Sequence, residues 1–112
     1  MSDRLPSGHV VGALLRRVNG AGGFGMIQAK GDAQGGGILV VLLERGRSAR
    51  VVERGLGAAG DTVLIDSTPS DATPQTLDAY LARRRSRDPD LWIVEVDIAA
   101  AERFAAEALL GN

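Results

Sequence analysis

Near the amino terminus Val11, Leu14, Leu15 and Val18 recur at helical spacing, while Arg16, Arg17 and Asn19 occupy the opposite side. Ser7 stands where an N-cap is expected, and Asn19 with Gly20 supplies a stop, so the pattern predicts an amphipathic first helix of about three turns. A glycine-rich stretch then leads into FGMIQAK, a first strand, and GDAQGGG offers turn chemistry before ILVVLLE. Every position from Ile38 to Leu43 is apolar. A strand of that kind belongs in the centre of a sheet, covered on both faces. RGRS turns the chain, ARVVER alternates as a third strand, and TVLID reads as a fourth. Sequential strands with short connections predict an antiparallel meander.

After the polar loop STPSDATP, Thr73 followed by Pro74 marks a cap with proline at the first helical position. The second helix buries Leu77, Tyr80 and Leu81 and ends at Asp88, Pro89 and Asp90, because proline disfavours the helical conformation in the residue before it. LWIVEVDI alternates, with Trp92, Val94, Val96 and Ile98 on one face and Leu91, Ile93, Glu95 and Asp97 on the other. A last helix begins at Asp97 or a neighbour, with Ala101, Phe104, Ala105 and Ala108 as its apolar stripe and Arg103 four residues before Glu107. The expected fold is α+β: a mainly antiparallel sheet of four to five strands with three helices in the order α-β-β-β-β-α-β-α, forming one domain over residues 1–112.

The chain has 112 residues, 45% of them hydrophobic and 24% charged, and a net charge of −1, which are the proportions of an ordinary globular domain. Cysteine is absent and His9 is the single histidine, which removes disulfides, thiolate zinc sites and a histidine relay within one chain. Neither a secretory leader nor an apolar run of about 18 residues is visible, so the expected address is the cytoplasm, without membrane attachment.

Four arginines fall between Arg83 and Arg87. Cations in the last turn of a helix interact favourably with its negative end, which accounts for the cluster without a ligand. The near-neutral chain and its four aromatics argue against nucleic acid as a partner. Gly20, Gly22 and Gly25, and again Gly55, Gly57 and Gly60, match G-x-G-x-x-G, yet neither copy runs from strand to helix as dinucleotide binding requires. Lys30 lacks the surroundings of a phosphate-binding loop. Asp88 with Asp90, or Glu95 with Asp97, could supply oxygen ligands to a hard cation, but acidic residues two apart commonly just face water. No cofactor is implied.

LLRRVNGAGGFG, the KGD turn, GGGILVV and above all DPDLWIVEV give the chain a resemblance to a family of small bacterial proteins of unknown function, running from about Leu5 to Val96. That resemblance implies a stand-alone domain and directs attention to Arg16, Arg17, Lys30, Asp88, Asp90 and Trp92, to which Arg85 is added from the arginine cluster, as candidate binding residues. Two functional readings follow. One is a non-enzymatic binding or interaction module, as a homodimer or with a protein partner, to which the exposed arginines and the apolar tail helix from Ala99 to Leu110 would contribute. The other is a magnesium-dependent enzyme or a binder acting on nucleic acid or phosphate groups through Asp, Glu and Arg; the enzyme predicts carboxylates converging in one cleft near arginines, and binding without chemistry would fall, as a weaker option, to Arg83 to Arg87.

Overall fold

Ile38, Leu39, Val40, Val41 and Leu42 are all buried, because the strand they form lies inside a sheet with helices on both faces. The computed structural model describes residues 5–111. In chain order its elements are α1 (Ser7–Gly20), β1 (Phe24–Ala29), β2 (Ile38–Glu44), β3 (Arg47–Leu56), β4 (Thr62–Asp66), α2 (Pro74–Arg87), β5 (Trp92–Asp97) and α3 (Ala101–Leu109). The expected α+β class and element order are those observed.

The five strands lie in the order β1-β5-β2-β3-β4. β2, β3 and β4 form the expected antiparallel meander, with Val40 opposite Val52 and Arg54 opposite Leu64. β1 departs from it. β5 enters between β1 and β2, antiparallel to the first, with Ile27 opposite Val94, and parallel to the second, with Val40 opposite Val94. The reason is burial. Trp92, Ile93, Val94 and Val96 leave β5 apolar on both faces, so it stabilises the fold most where both faces and both edges are covered. β1 carries two small residues, Gly25 and Ala29, and is left at the edge.

One face of the sheet is packed by α1 and α3. Val10, Val11, Leu14 and Val18 of α1 and Ala101, Ala105 and Leu109 of α3 meet Ile38, Val40, Leu42, Val52, Trp92, Val94 and Val96. The tail helix is therefore part of the chain's own core rather than a free docking helix. It begins at Ala101, not at Asp97, after Ala100 in a left-handed conformation (φ 57°). Asp97 instead accepts the backbone N–H groups of Arg45 (2.7 Å) and Gly46 (2.8 Å) and so holds the β2–β3 turn. On the other face Leu77 and Leu81 of α2 cover Leu39, Val41, Val51, Leu91 and Ile93. α2 approaches the sheet less closely than α1 and α3 do.

Helix starts follow local chemistry. At α2, Thr73 Oγ1 accepts from the Thr76 N–H (3.1 Å) and Thr76 Oγ1 accepts from the Thr73 N–H (2.7 Å), a reciprocal capping box. At α1, Ser7 does not cap. It lies inside the first turn, and its hydroxyl donates to the Gly36 carbonyl (2.5 Å), while the Ser7 and Gly8 N–H groups donate to the carbonyls of Gln34 (3.1 Å) and Ala33 (2.9 Å). The glycine-rich loop thus closes off the positive end of α1.

Candidate functional site

Five of the seven candidate residues meet in one corner, where the loop after β1 passes the DPDLW segment. The Asp32 N–H donates to the Asp90 carbonyl (3.0 Å), and the Trp92 indole Nε1–H donates to the Asp32 carbonyl (2.8 Å). The Trp92 N–H donates to the Gly37 carbonyl (2.8 Å). Arg85, from the last turn of α2, donates through Nε to the Pro89 carbonyl (3.2 Å) and through its terminal nitrogen to the Lys30 carbonyl (3.1 Å). Asp88 accepts from the Asp90 N–H (3.1 Å). Lys30, Asp88 and Asp90 are exposed, whereas Trp92 is only 4% exposed and belongs to the core, as its period requires. Nearly all of these bonds end on backbone carbonyls, so this corner ties two loops and the end of α2 together. Arg16 and Arg17 stand apart on the exposed side of α1, more than two turns from Ser7, where Arg17 pairs with Glu107 of α3.

The arginine cluster divides in a way its helix-end position does not foretell. Arg83 and Arg87 face water. Arg84 forms a two-pronged ion pair with Glu53 of β3 (both contacts 2.8 Å), donates to the Tyr80 hydroxyl (2.7 Å) and lies 5.7 Å from the centre of the Tyr80 ring. Ser67 donates to the same carboxylate. The hydrogen bonds from Arg84 pull the Glu53 carboxyl below the usual range against the opposing effect of burial, and the pair raises Arg84 above its own. Glu53 escaped the candidate set, although a charge two residues after buried Val51 on a strand was a signal that it points inward.

Among the described residues the carboxylates do not converge. Asp66 pairs with Arg50, which also reaches Glu102; Glu95 accepts from Gln28 (2.6 Å); Asp97 holds a turn; Asp32 accepts the N–H of Gly35 (2.8 Å). Among the described residues no three of His, Asp and Glu come together as a metal would need. The convergence that a magnesium enzyme predicts is not seen.

Open surfaces among the described residues include three that bear on function. A cavity of about 540 Å³ opens at the glycine loop, lined among others by Gly36, Glu53, Arg54 and Leu109. A groove of about 400 Å³ runs between α2 and the sheet, over Val41, Leu43 and Leu77, with Glu95 and Asp78 on its walls. The third is the outer edge of β1, with Phe24 (55%), Met26 (41%) and Ile27 (41%) exposed and β5 as the strand's one neighbour in the described sheet.

The model of a family described as protein of unknown function (DUF1491) matches residues 5–106, all five strands and most of α3. The chain belongs to the DUF1491 family. It is similar to a crystal structure of a DUF1491 family protein from Caulobacter crescentus, at 33% identity over 84% of this chain and 88% of that one, with a TM-score of 0.75. A solution structure of a DUF1491 family protein from the same organism matches at 32% identity over 84% and 86%, TM-score 0.72. Atu0922 from A. tumefaciens matches at 28% identity over 84% and 86%, TM-score 0.68. No curated protein matches the chain. No helix among the described residues is long and apolar enough to cross a membrane.

Proposed function

We propose that this DUF1491 chain is a small cytoplasmic interaction module without catalytic chemistry of its own, and that its partner adds an extended strand to β1. The observation that carries the reading is the character of that edge. Natural sheets protect their edges with charge, proline or a covering element, because unpaired N–H and C=O groups recruit other strands. β1 reads Phe-Gly-Met-Ile-Gln-Ala, with no charge and no proline, and it exposes three large apolar side chains. β4, at the opposite edge, is five residues long and ends at Asp66 in an ion pair. The corner built by Lys30, Arg85, Asp88, Asp90 and Trp92 then serves as architecture: it fixes the end of β1 against β5 and leaves the strand's outer side presented.

Strand addition gives affinity through main-chain hydrogen bonds and specificity through alternate side chains. The test is site-specific photo-crosslinking in the native host, with the reactive group placed at Phe24 or, as a control, at Ile65 of β4. Crosslinks from Phe24 that are absent from Ile65 and abolished by Ile27→Lys are expected. Equal yields at both edges, or none at β1, overturn the reading.

A further inference from the structure

We infer that the strand received by β1 is β1 of a second copy, in antiparallel register about a twofold axis that passes beside Met26. This rests on the proposed use of the β1 edge and names its occupant.

Which backbone groups face outward follows from the ladder. Gly25 donates its N–H to Asn19 Oδ1 (3.1 Å), so that group points away from β5. In an antiparallel pair such groups alternate along the strand, so the N–H and C=O of Ile27 point outward as well. A bulge after Ile27 disturbs the strand at Gln28, which leaves Phe24 to Ile27 as its regular part.

Identical antiparallel strands joined by a twofold axis must bring together residues of the same face. With Met26 on the axis, Gly25 lies opposite the partner's Ile27 and Phe24 opposite the partner's Gln28. The Gly25–Ile27 pairs are then the hydrogen-bonded ones: the Ile27 N–H donates to the partner's Gly25 carbonyl, and the Gly25 N–H exchanges Asn19 for the partner's Ile27 carbonyl. Large stands against small at these positions, since a side chain is missing at Gly25 where Ile27 is bulky and 41% exposed. On the other face Phe24 and Met26 extend a shared apolar strip across the join, and the Met26 pair makes the close, non-bonded contact.

Electrostatics does not oppose self-pairing. Two copies of a charged strand would oppose like charges, and β1 has none; the whole chain carries only −1. The strand is short, and six residues with three exposed apolar side chains fall below the roughly 1,600 Å² of a typical stable interface. A concentration-dependent equilibrium of monomer and dimer follows, rather than a permanent dimer.

Because the chain has no cysteine, Met26→Cys introduces one thiol per copy, and two thiols facing each other across the axis are within disulfide reach. The experiment uses the purified full chain. Sedimentation at rising concentration, up to about 1 mM, should show dimer, and mild oxidation of Met26→Cys should give a covalent dimer at least tenfold faster than Ile65→Cys on the other edge. Ile27→Lys, with an unchanged circular dichroism spectrum, should remain monomeric. A chain that is monomeric throughout, or Met26→Cys coupling no faster than the Ile65→Cys control, overturns the self-pairing. In that case β1 crosslinks to a different protein would still support the broader reading, and their absence would end both.

Discussion

The carbonyl oxygen of Asp90 occupies the space that side chains at Gly31 and Gly36 would need: a Cβ added there would lie 2.1 Å and 2.0 Å from it. Neither glycine is required for an unusual backbone angle; both are required because a distant loop passes close by. Gly36→Ala must push backbone against backbone and is expected to cost about 3 kcal/mol. Gly35→Ala, one residue earlier, meets nothing within 4 Å and should stay within about 0.5 kcal/mol of the parent. Urea denaturation of the two variants side by side measures the difference. GDAQGGG was legible as a turn from composition. Which of its glycines is indispensable was not, because that depends on a segment more than fifty positions away.

At the level of elements, α2 depends on few side chains for its position, chiefly Leu77, Leu81 and the Arg84–Glu53 pair. The side chains of that pair are 31% and 21% exposed, between the surface case and the fully buried one. Arg84→Ala is accordingly expected to cost about 1 to 3 kcal/mol, more than an exposed pair and less than a sealed one. The pH dependence has a definite sign. Glu53 titrates lower in the folded chain than in the unfolded one, so its contribution is complete above the ordinary carboxylate range and is lost as pH falls through the lowered value. Chemical denaturation from neutral to acid pH should show the advantage of the parent over Glu53→Gln shrinking across that interval. A cationic last turn of α2 was readable from Arg83 to Arg87. Its partner was not, since Glu53 lies 31 residues before Arg84 and only the tertiary fold joins them.

For the molecule as a whole, five strands and three helices were readable from period and punctuation, and so was the doubly covered central strand. Strand order was not. Sequence proximity suggested that β1 follows into β2, while the observed order obeys the relative burial of whole strands, with the two most apolar, β2 and β5, side by side. Comparing apolar density between strands, rather than along each, carried the missing signal: WIVEV rivals ILVVLL, and FGMIQA does not. The parallel pairing of β2 with β5 has a further consequence for synthesis. While a ribosome is still translating, β2 has one side occupied by β3 and the other bare, because its second neighbour, β5, is missing until Trp92 to Asp97 have been made. The native sheet therefore closes only after β5 has emerged, because slow non-local pairing must wait for that strand. A fragment ending at Arg87 should be digested rapidly by protease and tend to precipitate, whereas the full chain resists; a fragment as resistant as the full chain would show that the sheet closes without its last strand.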